Sequence, residues 1–175
     1  AKAEIVDMQA VMDEDIKAGL LPEGSKIEAW DWAYYAERVR KAKYALDEEQ
    51  TKPYFKMENV RQGVFDLTTK LYGLQYEKLE DIPVYHPDVE GFKVTDADGS
   101  LIGVILTDYF PRSTKRGGAW MTNFVNQEIT ADGKDIRPVI VNVGNFAKPT
   151  ADKPSLLTLD QVETLFHEYG HALHG

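Results

Sequence analysis

Hydrophobic positions recur at helical spacing in the first part of the chain and at strand spacing over much of the second part. Ile5, Met8, Met12 and Ile16 lie three and four apart, which predicts a helix over residues 1–19 closed by Gly19 and Pro22. A second helix is expected over residues 28–48, where Trp30, Trp32, Tyr34 and Tyr35 put apolar surface on several faces. That helix should be largely buried, with WDWAYY serving core or inter-helix packing in preference to substrate stacking, and with Glu37, Arg38, Arg40, Lys41 and Lys43 on a solvated face. A third helix is predicted over residues 59–72, ending near Gly73. From about residue 82 the period changes. Residues 92–95 and 101–107 flank Asp98-Gly99, a hairpin signal, residues 139–143 form a further β-rich run, and residues 117–120 suit a short strand. The chain is therefore expected to be a predominantly helical α+β protein, with a helical part over residues 1–75 and a small, mostly antiparallel sheet plus a final helix over residues 76–175.

That final helix, residues 158–174, carries the chemistry. Thr158 with Gln161 three residues on makes a capping box, Asp160 suits the positive end of the helix dipole, and Leu157 with Val162 fits a hydrophobic staple. At about 100° per residue, Leu165, Phe166, Tyr169 and Leu173 fall within about 60° of Val162, while His167, His171 and His174 cluster at roughly 120° to 180°. The histidines thus avoid the apolar stripe. His167, Glu168 and His171 form an H-E-x-x-H arrangement in which the two histidines, one turn apart, can hold one zinc ion and Glu168 can act as general base. On an ordinary surface helix the same five residues would be a solvated polar face.

His174 does not complete the site. It lies about 10 Å along the axis from His167, whereas ligand atoms about 2 Å from one ion must lie within roughly 4 Å of one another. The longer metzincin pattern wants Gly at the position of His174. What remains is a gluzincin-type site whose third ligand is a Glu on a later helix.

Composition narrows the function classes. With 43% hydrophobic and 11% aromatic residues, 175 residues can bury a core, and a net charge of -9 argues against a nucleic-acid or anionic-membrane partner. No apolar run approaches the roughly 20 residues of a membrane span and no signal peptide opens the chain; a soluble protein is expected, with the compartment, cytoplasm or periplasm, left open. With no cysteine, disulfides and cysteine-based sites are excluded.

The string LFHEYGHALHG resembles the zinc helix of the thimet oligopeptidase family, whose usual form has Phe where Tyr169 stands. EAWDWAYYAERVRKAKY, PYFKMENVRQGVFDLTTKLYGL, PVYHPDV, DYFPRSTKRGGAWM and RPVIVNVGNFAKP are similar to segments of its dipeptidyl carboxypeptidase (peptidyl-dipeptidase) branch, in the expected order. The resemblance implies a zincin-like fold, a peptide substrate, one zinc ion held by His167, His171 and a Glu outside this sequence, and oxyanion-stabilising Tyr or His side chains later still. It also places a substrate-pairing strand edge near Gly118 and Ala119, where a tight turn is the other reading. Arg112, Lys115 and Arg116 suit salt bridges more than a peptide carboxylate, and His86, ahead of a Pro, suits a turn. On this reading the chain is part of a larger catalytic domain, and alone it should be nearly inactive. The alternatives are an oligopeptidase cleaving internal bonds and a non-catalytic peptide-binding module.

Overall fold

A computed structural model describes residues 2–45 and 48–175. The chain divides into two compact units, residues 1–50 and 51–175.

The first unit is built on α1 (Lys2–Lys17) and α2 (Trp32–Tyr44). Met8 and Met12 pack against Tyr35 with Val11, Ile16, Ala36 and Val39 around them. Gly19, at φ +72°, turns the chain after α1. The Tyr35 hydroxyl donates to Asp15 Oδ2 at 2.9 Å, and Arg38 pairs with the same carboxylate. The hydrogen bonds from Arg38 and Tyr35 hold the Asp15 carboxyl below the usual range. The expectation of a largely buried second helix is corrected here: Tyr35 is its buried residue, whereas Tyr34 is 61% exposed and Trp30, in the turn before it, 80%. Trp32, Tyr34 and Tyr35 follow one another too closely to share one face of the helix, and a single partner helix covers one stripe.

The second unit opens with α3 (Glu48–Thr51), which straddles the division, and a 3₁₀ turn (Lys52–Tyr54), followed by α4 (Met57–Tyr72). Gly73 ends α4 in the left-handed region at φ +79°, its N–H bonded to Thr69 O at 2.9 Å. Five strands then form one sheet in the order β1-β2-β3-β7-β4: β1 (Gln75–Leu79), β2 (Glu90–Thr95), β3 (Leu101–Asp108), β4 (Trp120–Val125) and β7 (Val139–Val143). β3 and β7 run parallel and the other neighbours antiparallel. β5 (Glu128–Ile129) and β6 (Asp135–Ile136) pair separately. The Asp98-Gly99 hairpin joins β2 to β3, with Gly99 at φ +85°.

The helix α5 (Leu159–His174) packs with α4 on one face of this sheet. Val60, Val64 and Phe65 of α4, Phe92, Val94, Ile105 and Ile140 of the sheet, and Leu165, Tyr169 and Ala172 of α5 form the main core. Val89, Leu106, Val141 and Val143 form a second, smaller cluster. Alternation along β7 divides them: Ile140 joins the helix-side core, and Val141 and Val143 the other. Among the described residues no helix is long and apolar enough to cross a membrane.

Candidate metal centre

α5 begins where the sequence says it should. Thr158 Oγ1 accepts from Gln161 N at 3.2 Å and Thr158 N donates to Gln161 Oε1 at 3.0 Å, closing the capping box. Leu157 is fully buried in the core and Val162 packs against that core, so the entry angle of the chain is fixed. Leu165, Tyr169 and Ala172 are the buried residues of α5, while Phe166 and Leu173 stay partly exposed on the flank of the apolar stripe. The Phe65 and Tyr76 rings stack at 4.1 Å between centroids and both lie against Tyr169. Burial and the neighbouring Tyr76 push the Tyr169 hydroxyl far above the ordinary tyrosine range. Thr68 Oγ1 lies 2.7 Å from the Tyr76 hydroxyl and extends this network. A tyrosine in place of phenylalanine at position 169 is therefore accommodated by a polar neighbour inside the core.

Opposite this buried side, His167 and His171 are exposed, and their Nε2 atoms lie 3.1 Å apart with the rings at 80° to each other. Two nitrogens each about 2.0–2.1 Å from a tetrahedral ion would be about 3.3 Å apart, so the pair fits one zinc ion with little adjustment. The same distance also fits an N–H···N hydrogen bond between two neutral imidazoles. Glu168, next to His167 in sequence, is half-buried. Among the described residues, no group of three or more His, Asp or Glu side chains is placed to hold a metal ion. The histidine pair by itself offers two donor nitrogens, fewer than the three protein ligands that a catalytic zinc ordinarily takes. His174 is exposed and lines a cleft of about 550 Å³, with Tyr72, Leu173 and residues 102–105 of β3.

One polar contact ties this helix to the sheet. Asn142, fully buried one residue before the end of β7, donates from Nδ2 to the backbone carbonyl of Glu168 at 2.8 Å and accepts from the Tyr109 hydroxyl at 2.8 Å. Burial pushes the Tyr109 hydroxyl well above the ordinary tyrosine range, so it remains a donor. The signal for it in the sequence is an Asn amid valines and isoleucine in VIVNV, a polar side chain where the pattern asks for an apolar one.

Gly118 and Ala119 are placed immediately before β4, an outer strand of the sheet. Gly118 sits in a turn at φ +88°, which favours glycine, and its carbonyl accepts from Asn145 Nδ2 at 2.7 Å. The strand expected at residues 117–120 begins only at Trp120 and runs to Val125. α5 packs on both β4 and β7, so this outer strand borders the helix that carries the histidines.

Two of the cations before that turn, Arg112 and Lys115, are engaged elsewhere. Arg112 grips Asp108 through two bonds of 2.8 Å, and Lys115 Nζ reaches Asp108 Oδ1 at 3.1 Å and the carbonyls of Asp108, Phe110 and Gly144. The Tyr85 hydroxyl adds a bond to Asp108 Oδ2 at 2.9 Å. Burial raises the Asp108 carboxyl, but the hydrogen bonds from Arg112, Lys115 and Tyr85 outweigh it and hold the group below the usual range. This cluster clamps the ends of β3 and β7 together, while Arg116 is exposed. His86 caps a turn, its Nδ1 accepting from Asp88 N at 3.2 Å.

Asp108→Asn should destabilise the protein by about 3–5 kcal/mol, because it leaves two cations at a buried site without their counter-charge. Asp108 binds its proton less readily folded than unfolded. Its contribution is therefore full above an unfolded carboxyl pKa of about 3.9 and fades as pH falls through the lower folded value. Urea denaturation as a function of pH checks both points: the Asn variant should be weaker at neutral pH and should lose less on acidification.

All of residues 1–175 match the family model described as peptidase family M3. The chain is 50% identical over 153 residues to a dipeptidyl carboxypeptidase of Salmonella typhimurium, covering 87% of this chain and 22% of that protein. It is 45% identical over 176 residues to the dipeptidyl carboxypeptidase of Escherichia coli, covering all of this chain and 24% of that protein. Oligopeptidase A of Escherichia coli is 40% identical over 149 residues, 85% of this chain and 22% of that protein. The chain thus spans about a quarter or less of the length of these relatives.

Proposed function

The chain belongs to peptidase family M3, and from that premise we propose that it is the zinc-helix portion of a peptidase that removes dipeptides from the C-terminus of oligopeptides. The supporting observation is the pair of exposed imidazoles on α5, Nε2 to Nε2 at 3.1 Å, with Glu168 beside them. The greater identity to the two dipeptidyl carboxypeptidases than to oligopeptidase A favours removal of dipeptides over internal cleavage.

In this reading His167 and His171 hold a zinc ion through Nε2, and a Glu from outside these residues completes the set. The bound ion would supply Lewis acidity toward the scissile carbonyl and acidify the attacking water. Glu168 takes the proton from that water and later delivers it to the leaving amine nitrogen, a single carboxylate serving as base and then as acid. The outer strand β4 offers unpaired backbone groups to an extended peptide, and Gly118 and Ala119 bring the chain into that strand. Phe166 and Leu173 of α5 and Leu71 and Tyr72 of α4 are exposed apolar residues that the rest of a larger catalytic domain would cover.

The full-length protein that contains this chain should release dipeptides from a peptide with a free C-terminus and leave the same peptide intact when its C-terminus is amidated. Equal cleavage of both peptides would favour an internal-bond oligopeptidase instead. The 175 residues alone, with two ligands and no oxyanion donors, should show almost no hydrolysis, since each such donor is worth about 10²-fold or more.

A further inference from the structure

Asn142 is the fully buried side-chain amide of the sheet, and both of its ends are used: Nδ2 donates to Glu168 O and Oδ1 accepts from Tyr109. Its orientation is forced, because a backbone carbonyl can only accept. The bond is not needed to form a helix, since a carbonyl inside α5 already serves the N–H four residues on. Nor is it needed to fill the core, where an apolar side chain would avoid the cost of burying an amide. What it does is local. It fastens the carbonyl of Glu168, between the two histidines in sequence, to β7, in surroundings where Tyr109 and Tyr169 are buried as well.

Apolar packing by Leu165, Tyr169 and Ala172 fixes which face of α5 is buried but tolerates small rotations and slides of the helix. A directional hydrogen bond at the base's own peptide removes that freedom. We propose that Asn142 is a positioning residue for the hydrolysis, setting the azimuth and height of α5 so that Glu168 and the two imidazoles keep their places, with Tyr109 holding the Asn142 amide. This rests on the peptidase reading above. The outer partners of metal sites are commonly worth 10- to 100-fold in metal affinity or activity, and a displacement of about 1 Å can cost 10²-fold in rate.

The test uses the full-length protein with three variants: Asn142→Leu, which keeps the branched shape at somewhat greater volume but donates nothing, Asn142→Asp, which when ionised can accept from Tyr109 but cannot donate to Glu168 O, and Tyr109→Phe, which keeps the ring. The measurements are kcat and KM per bound zinc and zinc affinity by competition with a chelator. Asn142→Leu and Asn142→Asp should lower kcat about 10- to 100-fold with KM within about 2-fold, and weaken zinc binding about 10-fold or more. Tyr109→Phe should fall in between, and it decides the matter if the Asn142 variants do not fold. A residue that merely stabilises the fold would lower the folded fraction and leave kcat per zinc and zinc affinity unchanged. That result in Tyr109→Phe and in any folded Asn142 variant overturns the proposal. Wild-type protein that binds no zinc or cleaves nothing overturns the peptidase reading as well, so the two failures are distinguishable.

Discussion

Glu168→Gln in the full-length protein is expected to lower kcat by about 10²- to 10⁴-fold while leaving KM and bound zinc almost unchanged. General acid–base catalysis by a positioned side chain has about that worth, and the amide keeps the size of the carboxylate without its basicity. Glu168 is half-buried and its backbone is fixed by Asn142, so the substitution should leave α5 in place. Steady-state kinetics on a chromogenic peptide, with metal analysis on the same sample, separates loss of the base from loss of the site. A Gln variant with full activity would mean that another group accepts the proton.

The histidines should fail differently. His171→Ala or His167→Ala is expected to abolish stoichiometric zinc binding, and hydrolysis with it, because each removes one of the two imidazoles that the helix brings within 3.1 Å of each other. Both side chains are exposed, so neither substitution opens a cavity and thermal stability without metal should change by no more than about 0.5 kcal/mol. A metal titration followed by calorimetry checks the first point and thermal denaturation of the metal-free protein the second. In Glu168→Gln the ion stays and the rate falls; in the histidine variants the rate falls because the ion is gone.

The parts of this site that are local in sequence are the legible parts. The capping box at Thr158 and Gln161, the staple of Leu157 and Val162, and the histidines' offset from the apolar stripe are all set within one helix. The local pattern places β4 too early. Gly117-Gly118 announces a break, but the strand itself, WMTNFV, alternates between Met121 on the helix side and Trp120 on the other, with exposed residues among them. The parallel pairing of β3 with β7 depends on a long connection that brings distant segments together, and no local pattern encodes it. Asn142 stands out in VIVNV as a polar residue in an apolar run, but its partner lies 26 residues away and only the fold identifies it. Arg112 and Lys115 illustrate the reverse case. Their charge invites a ligand, and the buried Asp108, a polar residue at the end of an apolar strand, already takes it.

The central claim is that α5 presents two imidazoles to one metal ion. A zinc-bound crystal structure of the full-length protein tests it most directly. The predicted result is a single ion bonded to Nε2 of both His167 and His171 at about 2.0–2.1 Å, with the Glu168 carboxylate beside it and a carboxylate ligand from outside these 175 residues. An ion held elsewhere, or one bonded to neither histidine, would contradict it.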